Sequence, residues 1–502
     1  MPVNSKHPQY EAHAETWEMV RTVVAGTEAV KSAGDKYLPK LSGQKDKAYE
    51  AYAKRAEFHE ATTRTVDGLV GAVFRREPSV EVPVESDDLL SSTTLCGQPL
   101  AVFSKDVLSE IVITGRYGVL VDVPEGGGEP YMVGYEAEAI INWRVATVEG
   151  KPKLVLVVLS EKSYEPDAED LYKWVEKQRY RVLQLGGFDA EGSPVEKAAA
   201  PVYRQQVWRV DKGQAGKEEL VLESTVVPTK RAAPLGFLPF VIFGPRNIEA
   251  TVAKSPISGL AETNLSHYRT SADLEHGAHF TALPTPVVIG EIAGVASEDG
   301  KTELCIGSGV AWHLQGEGAD AKMLEYTGQG LTALESRMAS KEKHMAVLGA
   351  RLLEEQKSGV EAARTVDLRH RGENSLLASM ADTVGRALSM ALSWIYWWRA
   401  SGTSDDRNSA KVELNKDFFE NPLSPQEVVH LVTAWQQGGI GGEALFHNLK
   451  DGERVPEGWT YEDWQEDLEK NGPAASFMGG GDAPEQAATK PPEEPPEQQP
   501  EE

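Results

Sequence analysis

The residues whose spacing could support metal chemistry lie in one helical stretch near the middle of the chain. His276 and His279 are three positions apart, which places them on one helical face, and Asp273 lies one turn earlier. Imidazole and carboxylate groups are typical zinc ligands. No second pair of ligands accompanies them, so the interpretation we favour is a pair of solvated helix histidines.

Motifs for nucleophilic or phosphate chemistry are incomplete or missing. No Gly-x-x-x-x-Gly-Lys-Ser/Thr loop occurs, which argues against an ATP-driven motor. The segment 306–309 (IGSG) only partly resembles a Gly-x-Ser-x-Gly nucleophile elbow, because its first glycine is displaced. Cys96 and Cys305 are far apart, so neither a disulfide framework nor a Cys-x-x-Cys zinc site is expected. We therefore expect no cofactor, no metal and no enzymatic activity.

One basic group of side chains stands out in an acidic chain. The formal net charge of −26 disfavours a general nucleic-acid-binding surface, because such binding depends on Lys and Arg neutralising phosphates. An acidic wall would still let DNA pass without holding it, or the charge serves solubility alone. The basic group either contacts a phosphate backbone transiently or pairs with neighbouring glutamates, and both alternatives stay open. Its members are Lys341, Lys343, Arg351, Lys357, Arg364, Arg369 and Arg371.

The hydrophobic pattern offers no membrane-spanning segment. A span requires roughly 20 apolar residues, and the nearest window, 387–398, is shorter and is interrupted by serines and a tyrosine. The first residues lack the apolar core of a signal peptide. We expect no membrane partner and assembly in a reducing cytoplasm.

Helical patterns around a strand-rich region predict a mixed α+β fold. Residues from about 11 to 74 carry helical stripes, and residues from about 101 to 243 carry runs typical of strands. A further helical region follows residue 402. Residues 479–502 consist mainly of Gly, Pro, Gln and Glu, a composition that predicts disorder.

Three long helices are predicted between residues 255 and 402. Ser255 is a good N-cap and Pro256 suits the first helical position, so the first helix should run for about 40 Å to residue 283. An insert with short strands at 286–289 and 310–314 separates it from the second helix. The third helix ends in the aromatic run 394–398 (WIYWW), which we interpret as a core or inter-subunit anchor. The second helix carries a heptad-like apolar seam, formed by Leu331, Leu334, Met338, Met345, Leu348 and Leu352.

Several segments, in this order and spacing, resemble the portal proteins of tailed bacteriophages, and most closely a subgroup catalogued as a domain of unknown function. Each segment is weak alone, and together they span most of the chain up to about residue 400. They are 52–58 (YAKRAEF), 65–75 (TVDGLVGAVFR), 115–122 (GRYGVLVD), 140–144 (IINWR), 255–256 (SP), 264–269 (NLSHYR), 271–275 (SADLE) and 345–353 (MAVLGARLL).

The resemblance implies a portal-like division of the chain. It implies an α/β wing, two stem helices around a channel, a small β-containing clip, a tunnel loop, a long wing helix and a helical crown, followed by the disordered tail. The corresponding residues are 1–254 (wing), 255–283 (first stem helix), 284–328 (clip), 329–352 (second stem helix), 353–362 (tunnel loop), 363–402 (long wing helix), 403–478 (crown) and 479–502 (tail).

The resemblance also implies functional residues and partners. It implies a ring, usually of twelve copies, at one capsid vertex of a virion, through which double-stranded DNA is packaged and ejected. The expected partners are the terminase large subunit, a head–tail adaptor and the major capsid or scaffolding protein. The implied residues are Arg351, Lys357, Ser358 and Gly359 at the DNA, Val288, Ile289, Trp312 and His313 in the docking clip, and Leu331, Leu334, Met338, Met345 and Leu348 between stem subunits.

Two alternatives to the portal hypothesis remain open at the level of sequence. One is another head–tail connector or minor capsid protein, which would share the oligomeric helical design. The other is a virion-associated hydrolase, which would need convergent titratable groups in a pocket.

Overall fold

The computed structural model describes most of the chain. The described residues are 2–83, 87–124, 126–148, 150–167, 170–186, 201–212, 218–281, 285–292, 314–324, 329–353, 375–400, 407–418, 423–452, 454–456 and 458–471. The chain divides into two compact units, Met1–Phe418 and Phe419–Glu502. Helices and strands are mixed in the first unit, so the predicted α+β class is confirmed.

The first unit begins with a layer of helices, as the apolar stripes predict. These pack into a core through side chains such as Val20, Val66, Leu69 and Val70. The helices of the first unit before residue 120 are α1 (Pro8–Val24), α2 (Thr27–Ser32), a 3-10 turn (Gly34–Lys36), α3 (Asp46–Arg55), α4 (Ala61–Val73), α5 (Asp87–Ser91) and α6 (Leu100–Thr114).

Helix α6 contradicts the expectation that residues from about 101 onward form strands. Its polar positions Lys105, Asp106, Ser109 and Glu110 lie on the more exposed side, but its last turn, residues 111–114, is buried throughout. A short, fully buried apolar run cannot be distinguished from a strand by its period. Two signals at its ends did mark it. Pro99 precedes it, and Gly115 ends it in the left-handed conformation, with φ of 76°.

The strands after α6 form two sheets of the first unit. The smaller has the order β11-β2-β3, and the larger has the order β4-β5-β6-β7-β8, with neighbouring strands antiparallel throughout. The predicted strand runs fall inside these elements. The strands are β2 (Tyr117–Asp122), β3 (Tyr131–Glu136), β4 (Ile140–Val148), β5 (Lys151–Pro166), β6 (Trp174–Gly186), β7 (Val202–Lys212), β8 (Glu218–Val226), the small pair β9 (Thr229–Lys230) and β10 (Ala233–Pro234), and β11 (Phe240–Phe243).

Two long helices flank a β-hairpin in the middle of the chain. They are α7 (Ser258–Thr281) and α8 (Gln329–Ala350), with β12 (Thr285–Ile292) and β13 (Leu314–Leu324) paired between them. Helix α7 starts three residues later than predicted. The Ser255 hydroxyl does not cap it but donates a 2.6 Å hydrogen bond to the Ile113 carbonyl, which anchors the start of α7 to the end of α6.

The third long helix, α9 (Leu376–Arg399), is the most buried helix of the first unit. Ser375 caps it by accepting a hydrogen bond from Ala378 N–H. The short strand β14 (Lys411–Glu413) lies against it and pairs with β1 (Ser79–Glu81). Residues 363–374 of the predicted long helix lie outside the described residues. The aromatic run packs into the core, where Trp394 and Trp397 contact Phe237.

The second unit is a small group of helices. Ser424 and Glu427 form a capping box at its first helix. Leu445, Phe446 and Trp464 form its core. The helices are α10 (Pro425–Gln436), α11 (Gly442–Asp451) and α12 (Tyr461–Asn471).

None of the helices in the described part of the chain has the length and apolar character needed to cross a membrane.

Candidate functional site: the α7–α8 hairpin

Helices α7 and α8 pack side by side in antiparallel directions. Near the C-terminal end of α7, the Cβ of an alanine at Gly277 would come within 2.7 Å of Leu331 Cδ2, so Leu331 of α8 packs directly against Gly277. In the middle, Lys341 Nζ donates to the Ser266 carbonyl at 2.8 Å and to Thr270 Oγ1 at 2.6 Å. At about 1.5 Å per residue each helix is about 35 Å long.

The predicted apolar seam is the least exposed face of α8. Met345 and Leu352 are buried, and the other seam positions are half-buried, whereas nearly all intervening residues are exposed. This is the pattern expected for residues that repeat every three and four positions. Within one chain this face lies against α7. The proposed role of Leu331, Leu334, Met338, Met345 and Leu348 between subunits stays a prediction.

The base of α7 is fixed by polar contacts to the α3–α4 region. Asn264 Oδ1 accepts hydrogen bonds from Thr62 N–H at 3.2 Å and from Thr62 Oγ1 at 2.8 Å. Asn264 Nδ2 donates to the His59 carbonyl at 2.7 Å. Both Thr62 and Asn264 are fully buried, and buried polar groups are costly unless they are paired. These bonds therefore fix where α7 leaves the core.

A second set of contacts lies about two turns further along α7. Tyr52 Oη donates to Asp273 Oδ1 at 2.7 Å, and Ser271 Oγ accepts from Glu57 N–H at 3.1 Å. Burial and Asp273 raise the pKa of Tyr52 well above its usual value. The segments 52–58 and 264–275, which carry the sequence resemblance, thus dock on each other in the fold. Sequence analysis singled them out but assigned them no contact.

His267 lies at the centre of this contact region. Its Nε2 is 3.2 Å from Glu342 Oε1 of α8, and its ring is 5.6 Å from the His59 ring. The side chain is only 4% exposed, and burial lowers the pKa of His267 although Glu342 acts in the opposite direction. The neutral imidazole is therefore the form that fits this packing.

The histidines first considered as metal ligands lie further along α7. His276 packs edge-on against Tyr52, with ring centroids 5.2 Å apart, and burial lowers the pKa of His276. No group of three or more His, Cys, Asp or Glu side chains that could hold a metal ion occurs among the described residues.

The basic group near the end of α8 is only partly described. Lys341 points into α7, and burial lowers its pKa, so this amine is engaged within the chain rather than open to a phosphate. Lys343 and Arg351 are exposed, with Arg351 in the turn that ends α8. Lys357, Ser358 and Gly359 of the predicted tunnel loop lie outside the described residues, as do Arg364, Arg369 and Arg371.

The β-hairpin between α7 and α8 carries an exposed apolar face. Ile289 is 54% exposed and Val287, two residues earlier, is 39% exposed, whereas Val288 is half-buried. Opposite them, Asp320 and Lys322 form an ion pair at 2.9 Å. Val287 was not among the predicted docking residues, although the period of two along a strand pointed to it. Trp312 and His313 lie outside the described residues.

A second pair of resemblance segments meets at Trp143. The Arg116 guanidinium lies 3.9 Å from the centre of the Trp143 ring, and His7 stacks on the same ring at 3.9 Å. Arg116 Nη1 donates to the Ala250 carbonyl at 2.8 Å. Burial lowers the pKa of Arg116 to about 9. The contact ties β2, β4 and the segment before α7 together, which is a structural role.

Two cavities border the five-stranded sheet. One of about 640 Å³ is lined by Tyr135, Glu161 and Arg181 among others. Glu161 accepts hydrogen bonds from Tyr135 Oη and from Arg181 Nε, both at 2.6 Å. Tyr135, Glu161 and Arg181 are therefore paired with one another at the wall of this cavity.

A protein-family comparison matches the centre of this chain. Residues 256–399 match the family described as "Domain of unknown function (DUF4055)". The matched range begins just before α7 and ends at the last residue of α9, so it contains the α7–α8 hairpin. It covers less than a third of the chain. A comparison with curated proteins found no match.

Solved structures with a similar chain come from gene transfer agent particles. One, described as "Virion of native gene transfer agent (GTA) particle", is 13% identical, covers 84% of this chain and 99% of its own, and has a TM-score of 0.38. Another, "Neck of empty GTA particle computed with C6 symmetry", has 13% identity, 84% and 97% coverage and a TM-score of 0.38. "Neck of native GTA particle computed with C12 symmetry" has 14% identity, 78% and 89% coverage and a TM-score of 0.37. TM-scores below 0.5 do not establish a common fold.

Proposed function

We propose that this chain is a phage portal protein. In this proposal, copies of the chain form a ring at one capsid vertex, DNA passes through the ring during packaging and ejection, and the ring docks the terminase and a head–tail adaptor. The observation that carries the proposal is the order α7, β-hairpin, α8, with the base of α7 fixed to the N-terminal helices. Three of the segments that resemble portal proteins, 52–58, 264–269 and 271–275, take part in this base.

The packing of α8 supports an oligomeric role for the hairpin. Outside its seam, α8 is exposed along its length within one chain, and this exposed surface includes Val347 at 46%. Long helices with open faces can supply the head-to-tail contacts from which rings are built. The exposed Val287 and Ile289 would give the β-hairpin an apolar contact for a docking protein.

The first experiment is the native mass of the purified protein together with electron micrographs. A closed ring with an axial hole is the expected result, and twelve copies of a 54.7 kDa chain would weigh about 650 kDa. A uniform monomer or dimer at high concentration would contradict the proposal.

A second experiment separates a portal from another connector. Deletion of residues 354–358, within the predicted tunnel loop, should leave ring assembly intact and impair DNA packaging. The matched control is a Glu335→Ala variant, which removes one exposed charge in the first half of α8 and keeps the loop. Normal packaging by the deletion variant would favour a connector that does not line the DNA path.

A further inference from the structure

The five-stranded sheet has two open edges on opposite sides. Its order is β4-β5-β6-β7-β8, so β4 and β8 are the margins. An edge strand has backbone groups that can pair with another chain. Within the described residues, 144–148 and 218–226 make no backbone hydrogen bonds beyond those of the ladder to β5 and β7.

Only part of the β4 edge is open. His7 N–H donates to the Ile141 carbonyl at 2.9 Å, and Asn142 Nδ2 donates to the Ser5 carbonyl at 2.9 Å. The N-terminal segment therefore covers the first half of β4. The open half begins at Arg144 and ends at Val148.

Both open edges carry exposed apolar side chains. On β4, Val145 is 49% exposed, and on β8, Val221 and Leu222 are 37% and 43% exposed. Natural edge strands are usually protected by charges, prolines or a covering element, because exposed apolar edges aggregate. Apolar residues on an uncovered edge therefore indicate a surface that is covered in the assembled protein.

The two edges carry opposite charges. Arg144 is exposed on β4, and Lys151 is exposed at the start of β5, opposite the last residue of β4. Glu219 is exposed at the start of β8. None of the three forms an ion pair with another described residue. An edge with free cations and an edge with a free carboxylate are complementary surfaces on one chain.

We propose that β8 of one copy pairs with the open half of β4 of the next copy, which joins the five-stranded sheets around the ring. The inference rests on the proposed ring-forming function. Because the two edges are different surfaces, the contact is head-to-tail and repeats until the ring closes, whereas a self-complementary edge would stop at a dimer. Twelve copies are related by a rotation of only about 30°, so the two strands, which run in the same direction within one chain, run parallel at the contact.

The test exchanges the charges of the two edges. Glu219→Lys and Arg144→Glu should each weaken ring assembly about tenfold, measured as the ring fraction by native mass, because like charges then face each other. The double variant, Glu219→Lys with Arg144→Glu, should restore assembly. The control is Lys177→Glu, an equal charge change at an exposed position of the central strand β6, which should assemble normally.

The outcomes separate this inference from the proposed function. Rings that form normally with both single variants, or a double variant that stays impaired, would overturn the edge pairing and leave the portal proposal standing. If the single variants form normal rings that fail to enter particles, the two edges contact another virion protein instead. That result would also overturn the edge pairing. A wild-type protein that forms no rings would overturn both proposals.

Hydrogen exchange gives a second measurement that needs no variant. Outward backbone amides of β8 should exchange at least tenfold more slowly in rings than in the monomeric fraction, because they gain partners on assembly. Equal exchange rates in the two states would overturn the pairing.

Discussion

Asn264 accepts two hydrogen bonds from Thr62, one from its backbone N–H and one from its hydroxyl, across 202 residues of sequence. Both residues are fully buried. The contact joins the first long central helix to the N-terminal helices. The contact therefore holds the start of α4 against α7, although the two are far apart in the sequence.

Replacing Asn264 by leucine should lower the free energy of unfolding by about 2–3 kcal/mol, because it leaves the buried Thr62 N–H and Thr62 hydroxyl without their acceptor. Urea denaturation at neutral pH measures the change. The matched control, Thr62→Val, keeps the backbone bond and should cost only about 1 kcal/mol. The two changes share a partner, so the double variant should lose less than the sum. If the double variant lost the full sum of the two single costs, the result would contradict the contact between Asn264 and Thr62.

His267 should make stability depend on pH. Burial lowers its pKa in the folded state, so the unfolded chain binds the extra proton more readily. Stability from this group is therefore present above the unfolded pKa of about 6.5 and is lost as the pH falls below it. The facing groups are His59, Glu342 and Lys341.

A His267→Gln variant provides the measurement. The difference in unfolding free energy between wild type and variant should shrink as the pH falls from 7.5 to 5, because only the wild type must take up that proton on unfolding. His7 and His276 titrate in the same direction and remain in both proteins, so they cancel in the comparison. A difference that is constant over this range would contradict the assignment.

Arg21 of α1 should stabilise the fold through its ion pairs with two carboxylates. Its guanidinium bonds both oxygens of Glu110, at 3.0 and 2.7 Å, and also bonds Glu138. Burial raises the pKa of Glu110, whereas the contact with Arg21 acts in the opposite direction. Arg21→Met should therefore cost about 2–4 kcal/mol, because it leaves a buried charge unpaired.

The control for Arg21 is a second change at its partner. Adding Glu110→Gln to Arg21→Met removes the more buried of the two carboxylates that lose their partner and should recover part of the loss, as thermal unfolding would detect. Arg21→Lys should be intermediate, because a lysine cannot make the two-point contact. No recovery in the double variant would show that the loss comes from packing.

Gly277 should control the spacing of the central hairpin. An alanine there would place its Cβ 2.7 Å from Leu331 Cδ2, so Gly277→Ala should destabilise by about 1–2 kcal/mol despite the better helix propensity of alanine. Gly68→Ala is the matched control. It lies within a helix with nothing within 4 Å of the new Cβ, and it should stabilise by about 0.5–1 kcal/mol.

Shortening Leu331 tests whether its clash with the new side chain causes the destabilisation. Leu331→Ala should remove the clash, so Gly277→Ala should cost much less in that background. If Gly277→Ala cost the same free energy of unfolding with leucine or alanine at position 331, the clash with Leu331 would not be the cause of the destabilisation. Ring assembly of the same variants, followed by native mass, would connect the hairpin spacing to the proposed oligomer.

The sequence by itself determined the features that depend on local periodicity. The three- and four-residue spacing from Leu331 to Leu352 marked the protected face of α8, and the apolar runs located most strands, because burial of one face imposes a period on the chain. The α+β class follows from the same patterns.

Only the tertiary structure decided which distant segments meet. Residues 111–114, the fully buried end of α6, could not be distinguished from a strand by periodicity alone. Ser255 bonds Ile113 rather than capping α7, because the end of α6 lies beside it. The partners of Asn264, and the two open edges of the sheet, depend on chain segments tens to hundreds of residues away. Local spacing carries no information about such partners, since hydrogen bonds and packing are set by proximity in space rather than by distance along the chain.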